Sequence, residues 1–155
     1  MREKHDGGAG PIDVRAWLRM LSCTMTIEKS LRRGFAEQYD TTLPRFDVMA
    51  ALDRHPQGRT MGQLSRALLV SNGNVTAIVR QLQDAGQVVV SPDPEDRRSS
   101  IVRLSAAGQA SFNVLAKAHH AWIHQALSDV APDDLEQLHA LLAKVKASIG
   151  ENLHT

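Results

Sequence analysis

Between Thr60 and Leu104 the chain changes period twice: two short helical patterns meet across a turn, and two β-branched runs then flank a charged, proline-stiffened segment. Few architectures accept that order in so short a span. Thr60 and Gln63 have the spacing of a capping box, in which the hydroxyl accepts a first-turn amide while the Gln side chain reaches back, so a helix starts there. Leu64, Ala67 and Leu68 give it one apolar face. Ser71 can cap a second helix whose buried stripe is Val75, Ile78, Val79 and Leu82, and Gly86 is placed to close it in a left-handed turn. Val88-Val89-Val90 and Ser100 to Leu104 then read as strands, with Pro92 and Pro94 stiffening the turn between them. The pattern predicts a winged helix-turn-helix: a mainly α chain with a small β-hairpin wing.

The second helix carries Asn72, Asn74, Thr76 and Arg80 on its polar face, with no acid before Asp84. Asn, Thr and Arg pair with base edges and phosphates where carboxylates mostly cannot. Ser71, Asn72, Asn74 and Thr76 stand at the start of this helix and are candidates for base contact, and Arg80 for a phosphate. Arg97 and Arg98 fall at the tip of the hairpin, suited to the negative potential of a minor groove. The plain alternative is that one of them pairs with Asp96 and fixes the turn.

The run Asp93-Pro94-Glu95-Asp96-Arg97-Arg98, followed by Val102-Arg103-Leu104-Ser105-Ala106-Ala107-Gly108, resembles the wing signature of the MarR family of bacterial transcriptional regulators. Leu64-Ser65, Val75-Thr76 and the helix end from Leu82 to Gly86 also fall where that family has them, and the likeness runs from about Val14 to Ile149. The resemblance implies a homodimer on a pseudo-palindromic operator, usually a repressor, released by a small organic effector and using no cofactor.

Length and charge are compatible with this. At 155 residues the chain suits one domain with a real core. No apolar run approaches the roughly 20 residues needed to span a bilayer, and Met1-Arg2-Glu3-Lys4 leads into no signal core, so a cytoplasmic protein with no membrane partner is expected. The formal net charge is only +1. Asp53 to Leu104 holds seven Lys and Arg against five Asp and Glu, whereas Ser105 to Thr155 holds three against five, so the slight basic excess lies on the reading head. So few cations predict modest non-specific affinity and a shallow salt dependence.

The remainder reads as helical scaffold. Residues 1–10 form a flexible start, and 11–155 a single domain with its reading head at about 44–104 and dimerisation helices at about 12–39 and 105–150. Val14, Trp17, Leu18, Leu21, Met25, Leu31 and Phe35 track a long amphipathic helix ending near Tyr39. Leu43-Pro44 opens a short helix that His55-Pro56-Gln57-Gly58 breaks. Ser105 caps a further helix with Phe112, Leu115, His119, Trp122 and Ile123 on one face. Ala131-Pro132-Asp133-Asp134 starts the last, striped by Leu135, Leu138, Leu142, Val145 and Ile149. Such stripes exceed what one small lobe buries, which argues for a second copy. Two-fold symmetry would set the recognition helices about 34 to 36 Å apart, one turn of DNA.

Catalysis finds no support in the pattern. His120 and His124 stand one helical turn apart, a spacing that can bind zinc, but the HExxH pattern is missing and Gly7-Gly8-Ala9-Gly10 follows no strand. A metal-responsive regulator through His120 and His124 and a redox sensor through Cys23 are the alternative inputs. A single cysteine at helical spacing is ordinarily a small buried filler, and it excludes an intrachain disulfide. In the MarR family ligands sit where the dimer helices meet the DNA-binding lobe. The resemblance therefore implies a pocket involving Trp17, Leu21, Phe46, Met49 and Phe112, with Arg15, Arg45 or His119 for an acid group. Arg15-Ala16-Trp17-Leu18-Arg19, Leu43-Pro44-Arg45-Phe46-Asp47 and Gly73-Asn74-Val75-Thr76 are similar to regulators of hydroxycinnamate and other aromatic-acid catabolism, some of which answer to an acyl-CoA thioester. On that likeness Arg32, Arg33 and Arg45 would meet the phosphates of a CoA tail.

Overall fold

The computed structural model describes residues 10–68 and 72–153, with Asn72 in its backbone alone. The chain divides into two compact units between His120 and Ala121, inside the fifth helix.

The first unit opens with α1 (Ile12–Tyr39), which enters behind Pro11 and ends at Asp40 in the left-handed region. Only Leu31 and Phe35 of this long helix are buried. Thr42 then accepts from the Arg45 amide at 3.3 Å and caps α2 (Leu43–Asp53), in which Pro44 takes a first-turn position that needs no amide hydrogen. The capping box is present: Gln63 N donates to Thr60 Oγ1 at 3.1 Å, and Thr60 N donates to Gln63 Oε1 at 3.0 Å, starting α3 (Met61–Leu68). Helix α4 (Asn72–Asp84) follows, and Gly86 closes it at φ 71°. The proposed cap at Ser71 lies outside the described residues.

The wing is more than a hairpin. β2 (Val88–Pro92) and β3 (Ser100–Leu104) pair antiparallel from Val88↔Leu104 to Pro92↔Ser100. A two-residue β1 (Arg59–Thr60) adds to the other side of β3, so the order is β1-β3-β2. Two residues carry no readable alternation, which is why periodicity cannot announce this strand. Pro92 is tolerated because β2 is an edge strand.

α2, α3, α4 and the sheet enclose one core, with Val48, Met49, Val75 and Val102 excluded from solvent and Leu52, Leu64, Val79 and Leu82 nearly so. α5 (Ala106–Ala126) starts where Ser105 Oγ accepts the Gly108 amide at 2.9 Å. Its Phe112 ring stacks on Phe46 with centroids 5.6 Å apart, and Phe46 stacks in turn on Phe35 of α1 at 4.9 Å. The second unit contains the end of α5 and α6 (Pro132–Asn152), which has no buried residue. Leu138, Leu141, Leu142 and Ile149 are all exposed on it. No described helix is long and apolar enough to cross a membrane.

Candidate nucleic-acid interface

The geometry of α4 follows from its period. Val75, Val79 and Leu82 lie at spacings of three and four and are fully buried, which turns Asn74, Thr76 and Arg80 outward to solvent. Gly73 is exposed beside them, and a Cβ added there would meet no described atom within 4 Å. Ser71 is outside the described residues, and Asn72 is placed by its backbone only.

The wing tip is shaped by its acids through the backbone. Asp93 Oδ1 accepts the Glu95 amide at 2.9 Å and Asp96 Oδ1 accepts the Arg98 amide at 3.0 Å. Ser99 N donates to Asp96 O and Asp93 N to Ser99 O, each at 3.0 Å, closing the loop. Asp96 thus holds Arg98 by its main chain, and neither guanidinium is ion-paired to a described residue. Both arginines are exposed at the tip. Arg103 lies further back on the sheet, where its Nη1 donates to Ser91 Oγ at 3.3 Å.

A second set of polar bonds ties α4 to the rest of the unit. Arg45 Nε donates to Gln81 Oε1 at 2.9 Å. Beyond Gly86, Ser105 N donates to Gln87 O at 3.0 Å, Ser105 Oγ to Gly86 O at 2.6 Å, and Gln87 Nε2 to Ser111 Oγ at 3.0 Å. Gln109 Nε2 reaches Asp53 Oδ1 at 2.8 Å and links α5 to the end of α2. None of these partners is separated by a helical or strand spacing, so the sequence pattern carries no signal for them.

The residues expected around an effector are dispersed by burial. Phe46, Met49 and Phe112 are core, Trp17 is 53% exposed, Leu21 is half-buried, and Arg33 is exposed. Arg32 pairs with Glu28 of the same helix at 3.1 Å. Met25, Thr26, Glu28, Lys29 and Arg32 line an open groove of about 670 Å³ on α1, and of the expected set only Arg32 touches it. His119 stacks on Phe46 at 4.8 Å, and burial, with neighbouring His120, lowers its pKa below the usual imidazole value. No spacing in the sequence marks Asp47 as perturbed, yet its pKa is raised to about 6, chiefly by burial and then by Glu28, against an opposing pull from Arg32. Cys23 is exposed rather than the buried filler its spacing suggests, because the single long helix α1 buries so little of its surface. His120 and His124 are exposed, and no three metal-binding side chains gather among the described residues.

Comparison with known proteins decides what this head belongs to. Residues 39–99 match the MarR family model. The transcriptional activatory protein BadR of Rhodopseudomonas palustris is 32% identical over 132 residues, spanning 83% of this chain and 75% of that one. A MarR family regulator from Silicibacter pomeroyi, solved as a crystal structure, is 31% identical and superposes with a TM-score of 0.74 over 88% of this chain and 94% of its own. The chain belongs to the MarR family of transcriptional regulators. The HTH-type transcriptional regulator PecS of Dickeya dadantii is 28% identical over 152 residues, 97% of this chain and 90% of its own. At 18% identity, AbsC of Streptomyces coelicolor shares the fold, with a TM-score of 0.80 over 94% of this chain and 99% of that one. Membership makes the chain a DNA-binding transcriptional regulator, and these relatives are named as regulators.

Proposed function

We propose that this MarR protein is a ligand-responsive repressor that binds a pseudo-palindromic operator as a homodimer and is released by a small aromatic acid or its acyl-CoA thioester. The observation carrying the DNA half of this reading is the acid-free exposed face of α4 beside a wing whose tip carries Arg97 and Arg98, neither ion-paired to a described residue. In it Ser71, Asn72, Asn74 and Thr76 meet base edges in the major groove, Arg80 meets a phosphate, and Arg97 and Arg98 enter the minor groove. The dimer is supported by α6, on which Leu138, Leu141, Leu142 and Ile149 are exposed, and by the exposed start of α1, where Ile12 is 74% accessible. A second copy would bury both. The protein would act in the cytoplasm, where the operator is.

The effector half rests on resemblance and on the cationic, partly apolar surface of α1. Trp17, Leu21, Arg32 and Arg33 are the accessible members of the expected set, while Phe46, Met49 and Phe112 would support the pocket from within the core. Release would follow from tighter ligand binding to the dimer whose recognition helices no longer match the groove spacing. BadR's name calls it an activatory protein, which favours activation as the second reading of the regulatory sign.

Selecting sheared genomic DNA on the purified protein tests the core claim, since enrichment of a short inverted repeat is expected and unselective recovery would refute it. Sedimentation of the wild-type chain and of Leu141→Asp tests the dimer. A dimer that the substitution splits is expected, and a wild-type monomer at micromolar concentration refutes it. Adding aromatic acids and their CoA thioesters to the DNA complex tests the effector class, which fails if neither releases the operator.

A further inference from the structure

Arg45 stands in the first turn of α2, and its Nε reaches Gln81 in the last turn of α4, 36 residues away, at 2.9 Å. The residue after it, Phe46, lies between Phe35 of α1 at 4.9 Å and His119 of α5 at 4.8 Å. Those rings fix where α2 begins. Arg45 passes that position on to the trailing end of the recognition helix. A guanidinium suits the task because its planar fork holds Nε in one direction, whereas a flexible ammonium would not. Seven residues separate Gln81 from Asn74, about 10 Å of helix. A rigid α4 resting on Val75 and Val79 therefore converts a shift at Gln81 into a tilt at Asn74 and Thr76.

We propose that Arg45 is a positioning residue of the DNA-binding head: through its bond to Gln81 it sets the tilt of α4 and so the match between Asn74, Thr76 and the base edges. The inference rests on the DNA-binding reading of α4. It assigns to Arg45 an internal task in place of a direct contact with phosphate or effector.

The test uses the full chain as Arg45→Met, Gln81→Met, the double variant, and the exchanged pair Arg45→Gln with Gln81→Arg. Two quantities are read: amide hydrogen exchange over the second half of α4 without DNA, and the ratio of affinities for a genomically selected duplex and its scrambled counterpart. Each single variant is expected to speed that exchange and to lower the ratio about threefold to tenfold, the range a lost side-chain hydrogen bond produces. The double variant should lose no more than either single, and the exchanged pair should recover both quantities. Should Arg45→Met unfold early, Gln81→Glu keeps the partner and is expected to match or exceed the wild-type ratio. Unchanged exchange in both single variants overturns the proposal, as do losses that simply add in the double. Loss on Arg45→Met that the exchanged pair does not restore also overturns it, in favour of direct contact. The exchange measurement needs no DNA, so it separates failure of this proposal from failure to find an operator.

Discussion

Substituting Gly108 by Ala places a methyl group where the chain has left no room. Gly108 is buried in the first turn of α5, and a Cβ there would collide with the carbonyl oxygen of Gln87 and lie 2.7 Å from its carbonyl carbon. That carbon pair would sit about 1 Å inside the separation at which dispersion is optimal. The obstacle is backbone, so α5 and the segment after α4 must part. Parting them strains the bonds from Ser105 N to Gln87 O, from Ser105 Oγ to Gly86 O and from Gln87 Nε2 to Ser111 Oγ. Three such bonds at about 1 kcal/mol each, with about 1–3 kcal/mol for overpacking and about 1 kcal/mol returned by the better helix former, leave a net loss of about 3–5 kcal/mol. For a chain of this size that is a fall in Tm of about 8–15 °C. Urea and thermal unfolding followed by circular dichroism would measure it. Gly73→Ala, at a helical site open to solvent, is the control and should leave stability unchanged or slightly raised. A Gly108→Ala variant within about 1 kcal/mol of wild type would refute the packing argument, whose premise is that a buried backbone contact cannot relax.

Arg97→Ala and Arg98→Ala should each weaken binding to a selected operator without lowering Tm, since neither side chain is ion-paired to a described residue; each cation removed from the minor groove releases one counterion fewer and should reduce the salt slope by up to about 0.9, read by titrating binding against salt. Asp96→Ala should instead loosen the wing through the lost acceptor for the Arg98 amide, seen as faster amide exchange over residues 93–99. Asp47 holds its proton up to about pH 6 in the fold but only to its ordinary value of 3.8 when unfolded, so its contribution to stability falls as pH rises from about 4 to about 6. Asp47→Asn should remove that component, so that the variant gains on wild type across the same window, and a pH-independent difference in urea midpoints would contradict it. Thr60→Ala removes the hydroxyl that accepts the Gln63 amide, leaves the main-chain amide of residue 60 to donate to Gln63 Oε1, and should cost about 1 kcal/mol in urea unfolding.

Legibility followed the range of the interaction. The helix starts at Thr60, Ser105 and Pro132, the stop at Gly86 and the strands around Val89 and Ile101 depend on neighbours within a few residues, and the structure places them where their spacing says. The inward face of α4 was equally readable, because a helical stripe of Val75, Val79 and Leu82 leaves only one way to turn Asn74, Thr76 and Arg80. β1 escaped notice because two residues have no period. The role of Asp96 was only half readable: its proximity to the arginines is in the sequence, but whether it takes a side chain or an amide depends on the turn that forms. Arg45, Phe46, Met49 and Phe112 looked like a pocket set because residue type says nothing of depth, and the fold sinks the last three into its core. Cys23 illustrates the converse, an apolar-looking position left outside.

By itself, then, the sequence determined the local alphabet of this MarR protein: which segments coil or extend, where they stop, and which face of α4 is polar and free of acid. Those properties follow from backbone preference and hydrophobic period, which are set by near neighbours. Only the tertiary structure decided which distant groups meet: Arg45 with Gln81, Gly108 against Gln87, and Asp47 beside Glu28 and Arg32. Such pairings arise because packing brings together residues far apart in the chain, and their chemistry comes from burial and proximity that no local pattern encodes.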